Sequence, residues 1–133
     1  MIEPENVFLE KAVESLEGAT SEYVNSRYNN CANRCYYACF QAAIYALVRA
    51  GIRPPGARDE WGHDFVQAQF NGQLINRRKL YPADLRTALS ETYAWRQVAD
   101  YKRDHVPEIR ATRIYRRTEE FVETIRRRGG RRT

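Results

Sequence analysis

Apolar residues recur along this chain at helical spacing and nowhere at the alternating spacing of a strand. The densest stretch, Tyr28 to Gly51 (YNNCANRCYYACFQAAIYALVRAG), carries two apolar seams side by side. One runs Tyr28, Ala32, Cys35, Cys39, Ala42, Ala46; the other runs Tyr36, Phe40, Ala43, Leu47, Ala50. A helix this apolar must be surrounded. The first seam is mostly Ala and Cys, so a neighbouring helix can approach its backbone closely, while the second carries rings and a Leu that need a deeper groove. A narrow stripe of Asn30, Arg34, Tyr37 and Gln41 interrupts the apolar surface. A buried helix keeps such a stripe for a partner, a ligand or a structural bond.

The other elements group around that helix. Pro4 suits a first turn and is followed by an acidic residue, and Leu9, Ala12, Leu16, Ala19 and Tyr23 extend the stripe to about Asn25, with Gly18 as a soft spot. Asn25, Ser26 and Arg27 form the corner. The Gly- and Pro-rich run from Gly51 to Gly62 predicts a mobile loop. Phe65, Val66, Phe70, Leu74 and Ile75 predict a third helix ending near Asn76, with Arg77, Arg78 and Lys79 at its negative end. Tyr81 and Pro82 open a fourth, through Leu85, Leu89, Tyr93, Trp95, Val98 and Ala99 to about Tyr101. A fifth spans Pro107 to Arg127, with Ile109, Ile114, Phe121, Val122 and Ile125 inward and Arg110, Arg113, Arg116 and Arg117 outward. The fold class is all-α: an antiparallel up-and-down bundle of four to five helices with short connections.

Composition narrows this further. The length, 133 residues, suits one domain; we place it at 1–125, followed by a basic, disordered tail at 126–133. The net charge of +5 equals the five arginines between Arg126 and Arg132, so residues 1–125 are balanced and the basicity is local. Such a tail either contacts phosphates or is a solvated end. The acidic, amphipathic start is unlike a signal peptide and no apolar run has membrane-spanning length, so a soluble, cytoplasmic protein is expected. Cys31, Cys35 and Cys39 stand one turn apart on one face, far in sequence from His63 and His105. They read as small core residues, with no disulfide, metal or cofactor implied.

The order of a long first helix, a corner, ANRCYYACFQAAIYALVRAGI, a loop, GHDFVQAQF, LYPADLRTAL and WRQVADY resembles the small stand-alone branch of the HEPN domain superfamily. The likeness covers about residues 8 to 125. Its most specific pieces are Arg34 to Ala38 (an R-x-YYA), His63 opening the third helix, and Arg96 to Tyr101 (an R-x-x-A-D-Y). The resemblance implies a helical homodimer formed across the long helices, often paired with a minimal nucleotidyltransferase as toxin and antitoxin. It also implies, for many members, a metal-independent ribonuclease that uses an Arg and a His with four to six residues between them, near the end of the fourth helix. In such chemistry the arginine fork grips phosphate while a group titrating near neutrality moves protons to and from oxygen.

This sequence departs from that spacing. Arg96 stands in the expected place, but the nearest histidine beyond it is His105, and Arg58 with His63 satisfy the spacing only in the wrong part of the fold. The catalytic expectation is therefore an atypical set of Arg96, Tyr101 and His105, completed across the dimer. The substrate-binding expectation is Asn30, Arg34, Asp100 and Arg103, with Tyr93, Arg96, Asp100 and Arg103 forming a polar line toward the second helix. His63 is expected to cap the third helix or bond across the bundle. Two functions follow: a toxin-like protein acting on RNA, or a non-catalytic dimer that binds a nucleotide or serves as partner or substrate of a nucleotidyltransferase.

Overall fold

The computed structural model describes residues 6–58 and 60–129, in which five α-helices dominate: α1 (Asn6–Val24), α2 (Tyr28–Arg49), α3 (His63–Gln69), α4 (Ala88–Tyr101) and α5 (Glu108–Gly129). Among the described residues there is no strand, as the absence of period-two patterning requires. Pro4 and Glu5, expected in the first turn of α1, lie outside the described residues. The corner between α1 and α2 turns through Ser26, whose φ of 61° places it in the left-handed region, while Arg27 N–H closes the helix end on Glu22 O at 2.8 Å.

α2 is the axis of the bundle: 13 of its 22 residues are buried, so every other helix must pack on it. Its small-residue seam faces α5, where Cys39 Sγ meets Thr118 Oγ1 at 3.6 Å. Ala111 and Ile114 of α5 share a core cluster with Cys31, Ala32 and Cys35. Burial pushes the Cys39 thiol up to about 12, which suits an inert core residue. The ring-bearing seam meets α3 and α4 through Tyr36. α1 and α4 run against α2, whereas α5 runs alongside it; α4 and α5 are clamped by Glu91, which takes Arg113 and Arg117 at 3.2 Å each.

Three features depart from the periodicity. The third helix continues past Gln69 as a π-helix (Phe70–Arg77). Its wide turn lets Phe70, Leu74 and Ile75 all reach the core. The fourth helix does not begin at Tyr81; Pro82 is extended, a 3-10 turn (Ala83–Thr87) follows, and the α-helix starts at Ala88. Ile109 is 76% exposed rather than inward. It sits five residues before Ile114, about 140° round the helix, outside the buried face of Ala111, Ile114, Thr118, Phe121, Val122 and Ile125.

The tail also needs correction. Arg126, Arg127 and Arg128 belong to α5, which ends only at Gly129. Gly129 is buried against Tyr45, and a Cβ there would come within 2.6 Å of the ring. This contact holds the last turn onto α2, so the helix does not stop where the charges begin. Residues 130–133 lie outside the described residues.

Ala42 lies fully buried on the small-residue seam. Ala42→Leu is expected to lower stability by about 1–3 kcal/mol through overpacking, measured as a lower urea midpoint at unchanged m-value.

Candidate functional site

α4 presents Tyr93, Arg96 and Asp100 toward one edge of α2. Asp100 accepts from Asn33 Nδ2 on both oxygens, at 3.0 and 3.2 Å, and its Oδ2 lies 3.4 Å from Arg96 Nε. The latter contact is an ion pair by distance without being a hydrogen bond, since Arg96 Nε is sealed from solvent and its proton finds no acceptor. The guanidinium lies instead over two rings, its Cζ 5.1 Å from the centre of Tyr36 and 5.2 Å from that of Tyr37. An ion pair at this spacing with the cation first contributes at most a few tenths of a kcal/mol, whereas ring stacking of a half-buried guanidinium contributes about 0.5–2 kcal/mol. The rings, more than the carboxylate, therefore set where Arg96 sits.

His63 also reaches Tyr36. Its imidazole stacks on Tyr93, with centroids 4.0 Å apart and planes at 23°, and its Nδ1 lies 3.1 Å from the Tyr36 hydroxyl. Phe40 stacks on Tyr36 at 5.5 Å and completes an aromatic wall. Burial raises the Tyr36 phenol to about 12, so it stays protonated. Burial also lowers His63 from its ordinary value, and the Arg96 charge adds to that, against the opposing pull of Gln67 and Asp64. His63 is thus neutral at pH 7, with Tyr36 and Gln67 as hydrogen-bond partners. An arginine fork, an uncharged imidazole and exposed aromatic edges can together bind a phosphate and stack a base.

The structure divides the other expected residues between two places. Tyr101 is the last residue of α4 and is 69% exposed. His105 lies beyond it, exposed, with Nδ1 3.0 Å from Asn29 Nδ2, while Asn29 Oδ1 accepts from Val106 N–H at 2.9 Å. His105 therefore belongs to the α1–α2 corner, next to Ser26, Arg27 and Asn30. Arg103 is exposed past the end of α4. Asn30 donates to Glu22 of α1 at 3.1 Å, and Arg34 lies across Gly18 of α1. Gln41 turns its amide nitrogen to Ser15 Oγ, Lys11 O and Tyr37 O. The stripe of Asn30, Arg34 and Gln41 is thus a structural seam to α1.

The polar edge that faces α4 is one residue along: Asn29, Asn33, Tyr36 and Phe40. Asn33, which holds Asp100, and His63, which joins the arginine's aromatic bed, are the residues that sequence reasoning did not assign to the site. The four-three-four spacing of Asn29, Asn33, Tyr36 and Phe40 is the signal that pointed to the first. Nothing local pointed to the second, since His63 and Arg96 are far apart in sequence.

A family model described as HEPN domain matches residues 6–128. The chain belongs to the HEPN domain family. No curated protein matches its sequence. HEPN membership supports, at its coarsest, a function connected with nucleotides or RNA, and HEPN domains often dimerise. Among the described residues no helix is long and apolar enough to cross a membrane, and no group of His, Cys, Asp or Glu could hold a metal ion.

The His63 ring is expected to titrate below about 6.5 by NMR, and Arg96→Ala to move its midpoint upward. Because the folded value lies below the unfolded one, His63 favours unfolding as pH falls through the unfolded value. Its share of stability is complete above that value and lost below it. His63→Gln should therefore flatten the loss of stability between about pH 7 and pH 5, followed by urea unfolding.

Proposed function

We propose that this HEPN protein acts on RNA as the toxin-like member of a pair, with a nucleotidyltransferase as its antitoxin partner and a homodimer as its working form. The Arg96 groove is its site. The observation that supports this most is that Arg96 and His63 meet on one tyrosine, the guanidinium over the Tyr36 ring and the imidazole against its hydroxyl. Phosphate would compete with Asp100 for the Arg96 charge, and the rings of Tyr37, Phe40 and Tyr93 offer faces for a base.

Cleavage by this set needs no metal. The 2′-oxygen of the RNA attacks the adjacent phosphorus and gives up its proton, the bond to the 5′-oxygen breaks, and that oxygen takes a proton. His63 is the group suited to the first transfer, a neutral imidazole whose Nδ1 meets Tyr36 Oη and whose Gln67 contact the substrate would displace. In this reading His63 replaces Tyr101 and His105 as the proton carrier. Arg96 steadies the charge that gathers on the phosphate oxygens.

The second reading, a non-catalytic dimer that binds a nucleotide or serves as partner or substrate of a nucleotidyltransferase, is favoured by one contact. Asp100 already offsets part of the Arg96 charge, and an arginine committed to a carboxylate binds phosphate less readily.

Incubating the protein with total RNA and EDTA, and following fragment lengths, separates the two. Cleavage that Arg96→Ala and His63→Gln each reduce by about 100-fold or more, while Tyr101→Phe and His105→Gln leave it unchanged, supports the first reading. Intact RNA at high protein concentration, with nucleotide binding that Arg96→Ala abolishes, supports the second. Arg96→Ala should remain folded, since ring contacts and one ion pair without hydrogen-bond geometry hold the side chain; a molten variant would make Arg96 structural and remove the site.

A further inference from the structure

Among the described residues, three open clefts lie away from the Arg96 groove: one of about 430 Å³ at the α1–α2 corner beside His105, and two that differ in charge. The larger of these two, about 720 Å³, runs along the outer face of α5 beside the exposed Ile109. Its arginines 113, 116 and 117 are matched by Asp84, Glu108 and Glu120 on its walls, with Glu91 taking two of them. The smaller, about 450 Å³, lies where the π-helix ends, the 3-10 turn begins and α5 finishes. Its walls carry Lys79, Arg86 and Arg128, with Asn76 and Tyr81, and no acidic residue.

Among the described residues, the cations of the smaller cleft are held in place without being neutralised. Arg86 donates to Asn76 Oδ1, and Arg128 donates to Leu80 O at 2.9 Å. A neutral oxygen orients a guanidinium and leaves its charge intact, unlike the carboxylates beside Arg96, Arg113, Arg117 and Arg126. Capping of helix ends accounts for part of this, because the negative ends of α2, the π-helix and α5 meet here and Arg78 donates to Ala50 O at 3.0 Å. It does not account for Lys79. That residue has φ of 53°, a left-handed conformation, just past the π-helix, where Leu80 N–H returns to Leu74 O at 2.8 Å. Glycine is favoured at such a position. The chain instead keeps a lysine there at the mouth of the cleft, against the conformational preference.

We infer that this cleft binds the phosphate backbone of single-stranded RNA, as a second contact surface beside the Arg96 site; the inference rests on the RNA-acting reading above. Three cations with no ion pair among the described residues, two of them preset forks, match closely spaced phosphates better than one compact anion. Asn76 and Tyr81 add neutral hydrogen-bonding groups. Arg127 continues the charge along α5, outside the cleft.

The test uses the full chain and a short labelled uridine oligomer with 2′-O-methyl groups, which cannot be cleaved through the 2′-oxygen, and measures affinity by fluorescence anisotropy across a salt series. Lys79→Gly is expected to weaken binding severalfold and lower the salt slope by about 0.7, and Lys79→Gly with Arg86→Gln to lower it by about 1.4. Lys79→Gly should not lower the melting temperature, because glycine accepts the backbone conformation that lysine resists. Unchanged affinity and slope in both variants overturn the inference, as does weaker binding accompanied by a lower melting temperature in Lys79→Gly. Poly-glutamate that displaces the oligomer as well as unlabelled RNA does also overturns it, assigning the cleft to an acidic protein.

Arg96→Ala is measured alongside. Loss of binding in Arg96→Ala alone removes the cleft and keeps the groove; loss in the cleft variants alone does the reverse. An unmodified chain that fails to bind the oligomer removes both.

Discussion

The bundle depends on how closely α5 can approach α2. Alanine and cysteine along one seam of α2 bring the α5 backbone near, with the Cys39 thiol against the Thr118 hydroxyl. That hydroxyl is satisfied within its own helix by Ile114 O at 2.7 Å, so the contact carries no unpaired polar group. With this side of α2 closed and α1 covering another, the ring-bearing side is left for α3 and α4. The aromatic bed of Arg96 is therefore a product of packing: large residues collect where the close approach is not made.

Within that bed, burial and charge act on the same few groups. Tyr36 is the shared element. Its ring carries a guanidinium and a second aromatic, its hydroxyl meets an imidazole, and burial keeps its proton in place. The proximity of Arg96 and the loss of solvent both disfavour a second positive charge on His63. An uncharged nitrogen beside a cation is the combination that phosphoryl chemistry uses when no metal is present.

Much of this was legible in the chain. The seams of α2, the corner at Asn25 to Arg27, the inward residues of α5 from Ile114 onward, and the line of Tyr93, Arg96 and Asp100 all follow from spacing, because helical phase survives any tertiary arrangement. The differences have equally physical sources. Asn30 and Arg34 lie one residue from the edge that faces α4, and one residue is about 100° of helix, enough to exchange one neighbour helix for another. His63 was expected to cap its helix or bond across the bundle, and it does bond across, to the Tyr36 hydroxyl; its nearness to Arg96 depends on a loop return from Ala50 to Gly62 that no local pattern encodes. Tyr101 ends α4 with its side chain 69% exposed, and beyond it the chain leaves the helix at Lys102 and carries His105 to the corner.

The π-helical segment has a further consequence. A turn that holds an extra residue rotates and shortens whatever follows it, so the positions of Lys79 and Tyr81 depend on the number of residues between Phe70 and Arg77 as well as on their identity. Buried Phe70, Leu74 and Ile75 fix that number from the inside, since dropping one residue would turn at least one of them out to solvent. Length is therefore a conserved quantity of this segment in the mechanical sense: the core counts its residues, and the outer surface inherits the register.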